Sequence, residues 1–297
     1  PYDVYATAAD FGLSSNGTAE AKSYFASDLC VSEDVAIGTD STDSQVAEGA
    51  GTFNLETNTV VYAKNLYERL YPASTTKILT AYIALKYCDD LDAMVTVSEN
   101  AVNQASDSSV CNLKAGDVIR LRDLLYGLML RSGNDAAVAI AEYISGDVDS
   151  FAALMNQEAA AMGATRSHFV NPNGLPDENH YTCVYDMYLI FSNAIKNDTF
   201  VSIIGTTSYD VTYTDASGEA VTHTWENTNQ YLTGNATTPD GFQIVGGKTG
   251  TTGEAGYCLV LYSYNPSGQP IISIVFKADG KSNLYLLMNE MLQGFAI

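Results

Sequence analysis

The stretch "YPASTTKILTAYIAL", Tyr71 to Leu85, sets Ser74 three residues before Lys77, where an apolar helix would begin. Residues three apart share a helix face, so this spacing would bring the Lys77 ammonium to the Ser74 hydroxyl. A serine hydroxyl becomes a useful nucleophile when a base takes its proton, and a lysine can be that base if desolvation or a neighbouring cation lowers its pKa. The helix start would also offer unpaired backbone N–H groups to a developing oxyanion. Among the nine lysines, Lys77 alone has a serine three residues before it. The plainer account of the same letters is a helix cap followed by a solvated lysine.

Two further motifs bear on that choice. Ser132-Gly133-Asn134, in "LMLRSGNDAAVAIAEYI", falls between a helical stripe ending near Leu130 and another beginning near Ala136. S-x-N also occurs at Ser14, Ser98 and Ser263, so its place at a helix junction matters more than its letters. Lys248-Thr249-Gly250-Thr251 lies in "FQIVGGKTGTTGEAGYCLVLY", where Gly246, Gly247, Gly250 and Gly253 remove side chains from what reads as an edge strand suited to a ligand. A phosphate-binding loop would need glycine where Phe242 stands. Singly, these motifs also read as loop punctuation and a glycine-rich bend. In order, S-x-x-K, S-x-N and K-T-G, spaced 58 and 116 residues apart, form a far more specific set.

The flanking text supplies elements to carry them. "AEGAGTFNLETNTVVYAKN" reads as two strands joined at Glu56-Thr57-Asn58. A central block follows with apolar residues at helical spacing, such as Leu121, Leu124, Leu125 and Leu128, with Asp149 and Gly163 as candidate helix ends. "SYDVTYTDASGEAVTHTW" reads as a hairpin turning at Asp215 to Gly218, and "GYCLVLYSYNPSGQPIISIVFKA" as another turning at Asn265 to Gly268. "SNLYLLMNEMLQGF" closes the chain as a helix. The expected fold is α+β: an antiparallel sheet formed by both chain ends, with a mostly helical block between its strands. Residues 1–46, rich in Ser, Asp, Ala and Thr, read as an extension with one helical hint at "TAEAKSYFASDL"; residues 47–297 read as the catalytic domain.

Beyond the trio, "LYERLYPASTTKILTAYIAL", "HFVNPNGLPDENHYTCVYDMYLI" and "VGGKTGTTGEAGYCLV" make residues 47–295 resemble the low-molecular-weight penicillin-binding D-alanyl-D-alanine carboxypeptidases, serine enzymes of β-lactamase/transpeptidase-like fold. The resemblance implies removal of the terminal D-alanine from peptidoglycan stem peptides through an acyl-enzyme, and covalent inhibition by β-lactam antibiotics. It casts Ser74 as nucleophile, Lys77 as its base, and Ser132 as proton relay to the departing amine. Lys248 is cast as the fourth catalytic residue, holding positive charge at the site; Asn134 would bind the substrate backbone, Thr249 and Gly250 would bind the substrate near its carboxylate, and the N–H groups of Ser74 and Thr251 would form the oxyanion hole. It implies an extracytoplasmic place in the bacterial cell envelope, with any leader removed, and a part in cell shape.

Two departures stand out. Relatives often carry an arginine after the last strand that binds the substrate's carboxylate, whereas "FKADGKSNLYLL" offers only Lys277 or Lys281, which lack the planar fork. The sequence also ends soon after the closing helix, with no text for a second β-rich domain or an amphipathic anchor, so no membrane attachment is visible in it. The nearest rival, a class A β-lactamase, would place a deacylating glutamate in an E-x-x-L-N setting; Glu158, Glu178, Glu219 and Glu226 do not fit it. An endopeptidase or transpeptidase would use the same residues, and a silent wall-binding module would keep the fold.

The net charge of −21 and pI near 4.2 argue against nucleic acid or an anionic membrane as partner. Five scattered cysteines without a CxxC pair argue against a metal, and allow one or two disulfides or buried thiols. His168, His180 and His223 read as structural, Tyr181 and Tyr185 as core or cleft lining, and no cofactor or metal is expected.

Overall fold

The strand text at both ends of the chain pairs into one sheet. The computed structural model describes residues 28–297. In chain order these form β1 (Ala47–Asn54), β2 (Thr59–Lys64), a 3₁₀ turn (Ala73–Thr76), α1 (Lys77–Tyr87), β3 (Met94–Thr96), α2 (Glu99–Val102), β4 (Val118–Arg120), α3 (Leu121–Tyr126), a π-helical turn (Gly127–Arg131), α4 (Asn134–Ser145), α5 (Val148–Ala161), α6 (Val184–Ala194), α7 (Asp198–Ile204), β5 (Ser208–Thr214), β6 (Ala220–Glu226), β7 (Gln243–Thr252), β8 (Gly256–Tyr264), β9 (Pro270–Ala278) and α8 (Lys281–Phe295).

The main sheet is antiparallel in the order β2-β1-β9-β8-β7, with Phe53 opposite Ile272 and Lys248 opposite Val260. It is covered on both faces. Leu259, Leu261, Ile271 and Val275 pack with Leu287, Met288 and Met291 of α8, while Val260, Ile272, Ile274 and Phe276 join the core of the helical block. Double coverage explains why β8 and β9 read as continuous apolar text rather than alternation. It also leaves β7 as a free edge, the position its glycines foretold.

The hairpin of β5 and β6 departs from the single-sheet expectation. It joins a separate four-stranded sheet, β3-β4-β5-β6, touching β4 through Val118 opposite Thr214. β3 and β4 are three residues each, too short to show a period, so the text between the helices gave no warning of them. The N-cap of α5 is also corrected. Asp147, not Asp149, accepts the Ser150 N–H, at 2.7 Å, and Asp149 lies inside the first turn. Gly163 does follow that helix in the left-handed region, at φ 84°.

The helix expected over residues 18–29 lies, but for its last two positions, outside the described residues. Residues 28–46 run over the domain: the Cys30 N–H donates to the Tyr188 hydroxyl at 2.8 Å, the Tyr185 hydroxyl donates to the Cys30 carbonyl at 2.9 Å, and Ile37 bridges Ala63. All five cysteines are unpaired thiols, four of them buried. No helix among the described residues is long and apolar enough to cross a membrane.

Candidate active site

Ser74 lies in the 3₁₀ turn that leads into α1, directly after Ala73, which is held at φ 46°. Few non-glycine residues adopt that conformation, and neighbouring backbone holds it here. Gly174 abuts the same peptide: a Cβ there would stand 1.9 Å from the Ala73 carbonyl oxygen, and its own φ is +88°. From the other side Gly250 of β7 approaches so closely that a Cβ would lie 3.0 Å from the Ser74 nitrogen. The K-T-G edge strand is thereby laid beside the S-x-x-K turn, with no side chain between them.

Lys77 is fully buried, one turn along. Its Nζ lies 2.9 Å from the Ser74 Oγ and donates to the Asn134 Oδ1 at 2.8 Å and the Asn173 carbonyl at 2.6 Å. Asn134 Oδ1 and the Asn173 carbonyl can only accept, so each must take an N–H from Lys77. A neutral amine has two N–H groups and one lone pair, and with both N–H groups engaged the lone pair faces the Ser74 hydroxyl. Burial, and then the nearby charge of Lys248, drive the Lys77 pKa well below that of an ordinary lysine, while Cys111 and Asp135 push it back up. The arrangement can therefore draw a proton from Ser74.

The second motif arrives through the π-helical turn. Ser132 follows it in the left-handed region at φ 62°, and the Gly133 N–H closes back on the Gly127 carbonyl at 3.1 Å. The buried Ser132 Oγ accepts from Lys248 Nζ at 2.9 Å. Lys248 Nζ also donates to the Thr249 carbonyl at 2.9 Å, and burial lowers its pKa to about 7. Behind this turn the buried Asp135 carboxylate accepts N–H groups from Cys111, Leu113 and Ala136 within 3.1 Å, and the Asn134 N–H donates to the Ser109 carbonyl at 2.8 Å. These bonds pin the 109–113 loop to the junction.

Ser74 opens onto a cleft with two lobes that share Ser74, Ser109 and Thr251. The narrower lobe, about 160 Å³, contains Ser132, Thr228, Thr249, Gly250 and Lys281. Thr249 and Thr228 hydroxyls are hydrogen-bonded at 2.6 Å. The wider, about 420 Å³, contains Asn134, Asn173, Gly174, Asp107 and Glu254. All eight residues singled out in the sequence, Ser74, Lys77, Ser132, Asn134, Lys248, Thr249, Gly250 and Thr251, thus meet at one cleft. Of the two candidate replacements for the missing arginine, Lys281 lines the lobe, whereas Lys277 is paired with Glu48 at 2.7 Å beside a different cavity.

Asn173, Gly174, Ser109 and Thr228 went unassigned from the sequence. Asn173 acts through its backbone carbonyl, which any residue carries; Gly174 stands in the same family-like stretch with no role assigned to it, and Ser109 and Thr228 lie on loops without a motif. Glu158 is buried against Lys86 and the Tyr87 hydroxyl, each at 2.6 Å, away from the cleft. Tyr185 bonds Cys30, and Tyr181 lies under the Arg69 guanidinium at 3.6 Å. No group of three metal-ligating side chains occurs among the described residues.

His180 anchors the loop that carries Asn173. Its Nδ1 accepts the Val170 N–H at 3.1 Å, so Nε2 holds the proton and donates to Thr76 Oγ1 at 2.8 Å. Burial lowers its pKa from 6.5 to about 4. The native state therefore binds fewer protons than the unfolded chain across that window, so stability is full above pH 6.5 and is lost as the pH falls towards 4. The loss should be on the order of 3 kcal/mol. Thermal melts from pH 7 to 4 should show this slope in the wild type and a shallower one in His180→Gln; equal slopes would assign the acid sensitivity elsewhere.

Known proteins resemble this chain in sequence and in fold. A family model described as D-alanyl-D-alanine carboxypeptidase matches residues 38–280. The D-alanyl-D-alanine carboxypeptidase DacF of Bacillus subtilis is 34% identical over 251 residues, covering 83% of this chain and 61% of that protein. The chain thus spans about three-fifths of that relative's length. A D-alanyl-D-alanine carboxypeptidase of Streptomyces sp. is 34% identical over 265 residues, covering 84% of this chain and 88% of the relative. The crystal structure of a Streptomyces DD-transpeptidase superimposes with a TM-score of 0.78 at 33% identity, covering 85% of this chain and 98% of that one. The α+β fold is accordingly of the transpeptidase-like kind.

Proposed function

The chain belongs to the D-alanyl-D-alanine carboxypeptidase family, and from that premise we propose that it is a serine-type carboxypeptidase removing the terminal D-alanine from peptidoglycan stem peptides. The observation that carries the proposal is the buried Lys77 Nζ, 2.9 Å from Ser74 Oγ, with its other contacts filled by two acceptors.

In this reading Lys77 takes the Ser74 proton as Oγ attacks the carbonyl between the two terminal D-alanines. The oxyanion meets the N–H groups of Ser74 and Thr251, on the two segments that Gly250 allows to touch. Ser132, bonded to Lys248, passes a proton to the departing D-alanine amine. Asn134, its Oδ1 held by Lys77, keeps its NH₂ for the peptide backbone. Water then hydrolyses the ester. A β-lactam would acylate the same serine and persist. The corresponding location is extracytoplasmic, at the cell envelope, with a role in wall maturation and cell shape.

A second reading, transpeptidation, hands the acyl group to an amine instead of water. It is favoured by one observation: the carboxylates of the cleft, Asp107 and Glu254, are exposed, and neither is buried beside Ser74 to activate water. Intact-protein mass after adding a penicillin, with D-alanine release from a D-Ala-D-Ala peptide on the same batch, tests the proposal. A lasting adduct with D-alanine release supports carboxypeptidase action. Rapid drug turnover would point to a β-lactamase, and release that needs an amine acceptor to a transpeptidase.

Lys281 would face the substrate's terminal carboxylate beside Thr249. Lys281→Ala should raise KM for a free-carboxylate peptide about fivefold, as expected of an exposed pair, and should leave the C-terminally amidated peptide unaffected. Equal effects on both peptides would remove Lys281 from this role.

A further inference from the structure

We propose that Asp135, which lines neither lobe of the Ser74 cleft, is a positioning residue of the acylation step: its buried carboxylate supplies the negative charge that keeps Lys77 able to take the Ser74 proton. The inference rests on the reading that Lys77 is the base for Ser74.

The first turn of α4 divides its side chains between two tasks. Asn134 turns its Oδ1 to Lys77 Nζ at 2.8 Å, and Asp135, the next residue, turns to the 109–113 loop. Asp135 Oδ1 accepts the N–H groups of Cys111 at 2.8 Å and Ala136 at 2.9 Å, and Oδ2 accepts that of Leu113 at 3.1 Å. Gly133 makes the approach possible: a Cβ there would lie 2.8 Å from Asp135 Oδ1 and 2.3 Å from Cys111 Sγ. These partners are neutral dipoles, and the ion pairs of the described residues leave Asp135 out. Backbone donors favour the ionised carboxylate without cancelling its charge. A buried carboxylate lacking a paired cation is costly, whereas holding the loop asks only for acceptors. The charge itself acts on Lys77.

The groups that face Lys77 come from several elements. After burial, Lys248 of β7 is the largest influence that lowers the proton affinity of Lys77. Cys111 of the 109–113 loop is a neutral thiol, because burial and then the charge of Asp135 push its pKa well up. His180, on the loop that carries Asn173, is neutral, its pKa lowered to about 4 by burial. Asp107 and Glu254 at the wider lobe are exposed, where water and salt screen them. Around Asp135 itself, Arg131 is exposed, and Tyr213 is a neutral phenol whose pKa burial and then Asp117 push up. Asp135 is thus the buried anion that opposes burial and Lys248 at Lys77. An amine whose proton affinity falls too far is a feeble base even when neutral, so the carboxylate preserves the driving force for taking the Ser74 proton.

The test follows penicillin acylation by intact mass from pH 5 to 10 in the wild type, Asp135→Asn, Asp135→Ala, Lys248→Ala and the Asp135→Asn, Lys248→Ala double variant, with a thermal melt of each. Losing the carboxylate's charge lowers the Lys77 pKa, so the acid limb of both Asp135 variants should move to lower pH, whereas that of Lys248→Ala should move up. The plateau rate of the Asp135 variants should fall about tenfold, within what a general base contributes. In the double variant both charges are gone, and its limb should lie between those of the two single variants. A loop-holding role alone lowers the rate equally at every pH. That result, or no folded protein from either Asp135 variant, overturns the inference. Lys77→Ala in the same assay separates the two readings. A normal rate there overturns both; a slow rate there, with an unmoved limb in the Asp135 variants, overturns this inference alone.

Discussion

Ser74→Ala is expected to form no penicillin adduct and to release D-alanine at a rate lower by at least about four orders of magnitude, the scale on which loss of a serine nucleophile acts. The reason is local. The substitution removes one oxygen that contacts Lys77 and leaves the two Nζ acceptors, Asn134 Oδ1 and the Asn173 carbonyl, in place. Ser74 is only partly buried and the 3₁₀ turn does not depend on its side chain, so the thermal midpoint should move little. Intact-protein mass spectrometry reads the adduct, and a melt on the same sample reads the fold. An adduct of wild-type yield on the alanine variant would show that another group is the nucleophile.

Lys77→Ala should lower the acylation rate about a thousandfold, within the range of a lost general base. It should also destabilise the fold, because Asn134 Oδ1 and the Asn173 carbonyl lose the donor between them in a buried site. The pH profile separates the two effects. The base must be neutral to accept a proton, so wild-type acylation should rise with pH as Lys77 sheds its own. Lys248, with its pKa lowered to about 7, contributes through charge repulsion, which pushes the Lys77 pKa down. In Lys248→Ala that repulsion is gone, so the Lys77 pKa rises and the acid limb must shift to higher pH. Penicillin acylation measured from pH 5 to 10 reads the shift. An unmoved limb in Lys248→Ala, or a normal rate in Lys77→Ala, would assign the base to another group.

The hairpins of β1 with β2, β5 with β6 and β8 with β9 were legible because their turn residues and strand composition are local signals. The helices of the central block were legible from apolar residues at their period. The second sheet was not, since β3 and β4 are too short for any period and gain their pairing only from contacts distant in the chain. The Asp147 cap was missed because two aspartates stand two residues apart and only backbone direction decides which side chain turns inward.

By itself, the sequence determined which reactive groups exist and their order: one serine a helical turn before a lysine, a serine and asparagine at a helix junction, and a lysine in a glycine-rich strand. Tertiary structure alone decided that these segments, 58 and 116 residues apart, close on one cleft, since burial and proximity are properties of the assembled chain. It decided that Lys77 is wholly desolvated and held by the Asn173 carbonyl, a backbone group that no side-chain letter announces. It separated Lys281, open to the cleft, from Lys277, committed to Glu48, because equal lysines four residues apart differ only in where the end of β9 and the start of α8 point them.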